Sequence, residues 1–68
     1  MTRLRINGEE AEIAAATVAE LLAARGIDAK ARFLAVALNG AVVRRAEWPS
    51  QSLSPGDRIE IVRPLQGG

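Results

Sequence analysis

The chain has 68 residues, which is room for one domain, and a chain this short buries only about 60% of the surface its unfolded form exposes. Cysteine and histidine are absent, which excludes disulfides, thiolate nucleophiles, imidazole bases and most zinc sites and leaves packing alone to hold the core. The net charge is +1, the basic residues are scattered with Arg44-Arg45 as the longest run, and the only aromatics are Phe33 and Trp48, so no nucleic-acid partner is expected, since one would want a basic stripe with stacking rings.

Asn7-Gly8 lies between two alternating runs, the strongest short-range hairpin signal. A two-residue turn there places Leu4 opposite Ala11 and Ile6 opposite Glu9, with Leu4, Ile6, Ala11 and Ile13 on one face. The other face then pairs Arg5 with Glu10 and Arg3 with Glu12, opposite charges across strands. Thr17-Val18-Ala19-Glu20 reads as a capping box, in which Thr17 caps the first turn and Glu20 reaches back to Thr17. Val18, Leu21 and Leu22 form an apolar stripe at helical spacing, and Gly26 is placed to end the helix left-handed. At about two turns this helix cannot stand alone, so its stripe must lie on a sheet.

Leu34-Ala35-Val36-Ala37-Leu38 is a nearly unbroken apolar run, as an inner strand requires. Asn39-Gly40 makes a second two-residue turn, pairing Leu38 with Ala41 and Val36 with Val43. Leu34, Val36, Leu38, Ala41 and Val43 are then expected on the core face, and Ala35, Ala37 and Val42 on the opposite one. Ala46-Glu47-Trp48-Pro49 reads as a short irregular turn with Trp48 packed under a loop, and Arg44-Arg45 as a solvated loop. Ser54-Pro55-Gly56-Asp57 is a turn by composition. In the last strand Ile59 and Ile61 alternate with Arg58, Glu60 and Val62. Beyond Val62, Pro64 blocks further pairing and the glycines Gly67 and Gly68 leave the backbone unrestricted. The expected organisation is a domain over 1–62 with a C-terminal tail over 63–68. The fold class is α+β, a mixed sheet of about five strands with one main helix on one face. One short helix covers one face only, so Ala35, Ala37, Val42 and Val62, with Leu65 beyond the last strand, are candidate partner-binding residues.

Several stretches together resemble a known family. They are Ile6-Asn7-Gly8-Glu9, Thr17-Val18-Ala19-Glu20-Leu21-Leu22, Val36-Ala37-Leu38-Asn39-Gly40 with Val42-Val43, Glu47-Trp48, Gly56-Asp57-Arg58-Ile59-Glu60-Ile61-Val62 and the closing Gly67-Gly68. The chain resembles the sulfur carriers of thiamine biosynthesis, the ThiS-type branch of the ubiquitin-like (β-grasp) superfamily. The likeness covers nearly the whole chain. Its most specific part is the Gly-Asp strand that leads to a final Gly-Gly. It departs at Arg44, where such carriers often have a proline before an arginine.

The resemblance implies a carrier rather than an enzyme. The carboxylate of Gly68 is the implied site, adenylated with ATP by a separate enzyme, converted to a thiocarboxylate and used as a sulfur source for thiazole formation. Gln66 and Gly67 are the implied threading residues of the tail. No stably bound cofactor and no metal are expected. The implied partners are an adenylating enzyme of the ubiquitin-activating kind, a sulfur donor such as a cysteine desulfurase or rhodanese-type protein, and a thiazole synthase. From Arg63 to Gly68 the six residues reach roughly 20 Å when extended. Carriers for molybdopterin or cysteine synthesis share this chemistry, and a ubiquitin-like protein modifier is the alternative of a different class. No apolar run approaches the roughly 20 residues that cross a bilayer, so no membrane partner is expected. The absence of cysteine accords with a cytoplasmic location.

Overall fold

A computed structural model describes residues 1–63. The elements in chain order are β1 (Thr2–Ile6), β2 (Glu9–Ile13), α1 (Val18–Ala24), β3 (Ala35–Leu38), β4 (Ala41–Val43), a 3₁₀ turn (Arg45–Glu47) and β5 (Arg58–Val62). The strands form one five-stranded sheet in the order β2-β1-β5-β3-β4. Both hairpins take the expected register. Leu4 faces Ala11 in the first, and Val36 faces Val43 in the second. Their tips share one geometry, with φ of 50° at both Asn7 and Asn39 and φ of 85° and 88° at Gly8 and Gly40. Positive φ at both central residues is what a type I′ turn needs, and its twist matches that of the strands it joins.

The last strand goes to the middle of the sheet. It runs parallel to β1, with Ile6 beside Ile59, and antiparallel to β3, with Val36 beside Ile61. The sheet is therefore mixed. One of its faces carries Leu4, Ile6, Val36, Ile59 and Ile61, all buried, against Val18, Leu21 and Leu22 of α1, which have no exposed surface at all. Burying a Leu, Ile or Val side chain is worth about 1.5–3 kcal/mol. This layer is the main source of stability in a chain without disulfides.

Both ends of α1 are satisfied. Glu20 N–H donates to Thr17 Oγ1 at 3.2 Å, and the N–H groups of Val18 and Ala19 donate to the carbonyls of Gln51 and Trp48 at 3.0 Å each. The capping box differs from expectation in one bond. The Glu20 carboxylate accepts from Ala16 N–H at 2.7 Å rather than from Thr17. The cause lies in the long segment after the 3₁₀ turn. It bridges to Thr17 through Ser52 and draws the chain before the helix alongside, with Leu53 N–H on Ala16 O at 2.9 Å. At the other end Ile27 N–H bonds Leu22 O at 2.9 Å and Gly26 N–H bonds Ala23 O at 3.1 Å, with Gly26 at φ 72°. These are the two bonds of a Schellman stop.

Two details of the second hairpin also differ from expectation. Ala41 is exposed instead of facing the core, because it opens a three-residue edge strand where nothing covers it. The Arg44-Arg45 segment is not merely solvated. Arg45 donates to Ala31 O at 2.8 Å and to Ala29 O, and its guanidinium lies 4.7 Å from the centre of the Trp48 ring. It thereby ties the loop before β3 to the 3₁₀ turn. Trp48 itself is 2% exposed and donates its indole N–H to Val43 O at 2.9 Å, so it packs as an anchor.

Candidate functional site

The strand nearest the C-terminus is the central strand of the sheet, paired on both edges. Within β5, Ile59 and Ile61 face the core while Arg58, Glu60 and Val62 face outward. This alternation follows from the two-residue period of a strand. The register with β3 sets Val62 beside Ala35 and Glu60 beside Ala37, and the register of β3 with β4 sets Ala37 beside Val42. Ala35, Ala37, Val42 and Val62 therefore form one contiguous group on the face away from α1. Val42 is 78% exposed and Val62 61% exposed, Ala35 is exposed and Ala37 is half-buried by its neighbours. The other four candidates, Leu65, Gln66, Gly67 and Gly68, lie outside the described residues.

The same face changes character across β5 toward β1 and β2. There Arg3 pairs with Glu12 at 3.8 Å and Arg5 with Glu10 at 3.5 Å, all four side chains being more than half exposed. Arg58 stands beside Arg5 on the neighbouring strand. The clefts here are open ones between Arg3, Arg5, Glu10 and Arg58. Among the described residues no cluster of carboxylates could hold a metal ion, and no polar or charged residue is buried.

Two features of this region escape a reading of the sequence. The first is Phe33. It is 79% exposed and sits at φ 63°, a conformation rarely adopted by a bulky residue, immediately before the buried Leu34 and β3. No local signal marks that loop residue as left-handed. The second is the pair of hairpin asparagines. Their side chains reach β5 from opposite sides and at opposite ends. Asn39 Oδ1 accepts from Arg58 N–H at 2.9 Å while its Nδ2 donates to Asp57 Oδ1 at 3.0 Å. Asn7 Oδ1 accepts from Ile61 N–H at 2.8 Å while its Nδ2 donates to Ile61 O at 3.2 Å. The sequence marks both residues as turn formers, but the partners are far away along the chain.

This architecture has close counterparts. A crystal structure of a thiamine biosynthesis protein (ThiS) from Geobacter metallireducens is similar with a TM-score of 0.78 and 31% identity, over 98% of this chain and 100% of that one. An NMR solution structure of a thiamine biosynthesis protein from the same organism gives a TM-score of 0.79 and 30% identity, over 98% of this chain and 88% of that one. No match is found among curated proteins. The model of the ThiS family matches residues 4–68, a span that includes the final Gly67-Gly68. With the β-grasp sheet, its single helix and the sequence match all in agreement, the chain belongs to the ThiS family of small sulfur carriers.

Proposed function

We propose that the chain carries sulfur on the terminal carboxylate of Gly68 for thiazole formation in thiamine biosynthesis. The observation that carries this reading is the family match, which spans residues 4–68. In the proposed cycle the Gly68 carboxylate attacks ATP on an adenylating partner and pyrophosphate leaves. A sulfur donor, a cysteine desulfurase or rhodanese-type protein, then attacks the acyl carbon with the terminal sulfur of its persulfide, and AMP departs with a former carboxylate oxygen. A thiol cleaves the resulting acyl disulfide, forming a disulfide with the donor cysteine and releasing the thiocarboxylate. On thiazole synthase the sulfur passes to the acceptor, and the acyl carbon takes an oxygen from the acceptor or from water, so that the carboxylate returns. ATP belongs to the partner, and the carrier contributes no acid, base or metal. The setting proposed for the cycle is the cytoplasm.

The chain's own share of this chemistry is presentation. Gly67 has no Cβ, so it can pass a narrow channel and take backbone angles closed to other residues. Gln66 and Gly67 are assigned to threading. Ala35, Ala37, Val42, Val62 and Leu65 are assigned to docking, since apolar groups left outside on so small a domain are natural interface anchors. The exposure of Val62 at the end of β5 and of Val42 on the same face of β4 supports this assignment.

The reading is tested with intact-protein mass spectrometry and ATP–pyrophosphate exchange. Protein from a sulfur-replete host should contain a species in which one oxygen is replaced by sulfur. Deleting Gly68 should abolish exchange with the adenylating enzyme while leaving the melting temperature unchanged. Gly67→Val should lose turnover with equally little effect on stability. Undiminished exchange by the Gly68 deletion would sink the proposal. Isopeptide-linked adducts on other proteins in cells would replace it with a modifier function.

A further inference from the structure

β1 ends at Ile6, whereas β5 runs on to Val62. The parallel ladder between them begins with Arg5 N–H on Asp57 O at 2.9 Å and ends with Asn7 N–H on Ile59 O at 2.8 Å. In a continued parallel ladder the next bond would run from Ile61 N–H to the backbone carbonyl of residue 7, and the one after from the N–H of residue 9 to Ile61 O. Neither backbone group is in place, because Asn7 and Gly8 turn the chain away with positive φ. The Asn7 side chain supplies both instead. Its Oδ1 accepts from Ile61 N–H at 2.8 Å, and its Nδ2 donates to Ile61 O at 3.2 Å. A primary amide has the same donor and acceptor as a peptide group, so it serves here as a detached ladder rung. Ile61 lies two residues before Arg63, the last described residue of the chain.

We infer that Asn7 is a positioning residue for the carrier reaction, its amide fixing the Ile61 peptide and with it the course of the chain as far as Arg63, from which the sequence runs on to Gly68. The inference rests on the carrier reading above and adds to it a residue outside both the tail and the apolar face. The opposite edge of β5 is held at this level by Ala35 of β3, beside Val62. On the β1 edge, among the described residues, the Asn7 amide makes the last bonds. Losing them frees the Ile61 peptide on that edge, and the backbone that continues to the Gly68 carboxylate then starts from a looser base. A misplacement of about 1 Å at a reacting atom can cost a hundredfold in rate. Asn39 provides an internal control. Its Oδ1 likewise accepts from a backbone N–H of β5, at Arg58, but at the opposite end of the strand, and its Nδ2 goes to the Asp57 carboxylate.

The experiment compares Asn7→Gly with Asn39→Gly in the full chain. Glycine keeps the left-handed turn and removes only the amide, so both variants should fold. Native-state hydrogen exchange should rise about tenfold or more at the Ile61 amide in Asn7→Gly, and at the Arg58 amide in Asn39→Gly. In activation by the adenylating enzyme, Asn7→Gly should lower kcat about tenfold with KM for the carrier within about twofold, because the docking face is untouched. Asn39→Gly should keep both constants within about twofold. Three results overturn the inference: an unchanged Ile61 amide in Asn7→Gly, a retained kcat, or an equal loss of kcat in the two variants. A wild-type chain that is never activated overturns the carrier reading, and the positioning role with it. A wild type that is activated together with an equally active Asn7→Gly overturns the inference alone.

Discussion

The two hairpins share a turn and differ in everything they turn outward. Both tips are Asn-Gly with nearly identical backbone angles, and each contributes a buried row to the same core. On the outer face, the first hairpin carries Arg3, Arg5, Glu10 and Glu12 in two ion pairs, while the second carries Ala35, Ala37 and Val42. The inner rows are fixed by the need to bury apolar surface. The outer rows are free of that need, and there the two halves differ in chemistry. The charged half is dressed for water. The apolar half is left uncovered beside the strand that leads to the tail. Exposed ion pairs contribute only about 0–1 kcal/mol each, so the charges keep the face wet and the register defined more than they hold the fold together.

The largest effect that tests this division is within β5 itself. Ile61→Asp places a charge in the core and should cost more than about 4 kcal/mol. A domain of this size has a total stability of roughly 3–10 kcal/mol, so the variant should be unfolded or nearly so in a thermal melt. The neighbouring Val62→Asp, on the outward side, should melt close to wild type. Equal loss by the two would show that the faces are misassigned.

Next come the interface variants. Val62→Asp and Ala37→Asp should each weaken binding to the adenylating enzyme by more than about 1.4 kcal/mol, a factor of ten, because docking would bury an unpaired charge. Calorimetric titration measures this directly. Normal binding by both would remove the apolar half from the docking surface.

A smaller effect, of opposite sign on stability, is expected at Phe33. Its left-handed backbone is strained and its ring is solvated, so Phe33→Gly should stabilise the free domain by up to about 1 kcal/mol in a denaturant titration. A clear loss of stability would mean that the ring packs against the second hairpin after all. The smallest effect belongs to the first hairpin. The coupling between Arg3→Gln and Glu12→Gln in a double-mutant cycle should stay below about 0.5 kcal/mol. A coupling above about 1 kcal/mol would make the charged half a stabilising element in its own right.

Local patterns carried most of this fold into view. Two Asn-Gly turns set both registers, Thr17 and Gly26 bracket the helix, and the alternation of Ile59 and Ile61 orients β5. The outward placement of Ala35, Val42 and Val62 followed from the same periodicity. What stayed hidden depends on contacts distant in sequence. The parallel pairing of β1 with β5 and the bonds from Asn7 to Ile61 join residues that no local window contains. The role of Arg45 is of the same kind, since the carbonyls it holds belong to a loop before β3. Glu20 bonds Ala16 instead of Thr17 because a distant segment repositions the chain before the helix. Alternation alone places Ala41 on the core face, but alternation cannot register where the covering layer stops, and Ala41 is exposed.

The burial of Trp48 has a practical consequence. It is the only tryptophan, and the chain has no tyrosine, so excitation of the chain's fluorescence selects a single indole. That indole sits in the core cluster, with its N–H bonded to Val43 O and the Arg45 guanidinium over its ring. Its emission should be blue-shifted in the native state and move to the red when the core opens. The proposed docking residues lie on the opposite side of the sheet, so binding should leave the signal nearly unchanged while unfolding alters it fully. The wild-type chain thus contains an optical gauge that separates loss of fold from loss of docking, without a label.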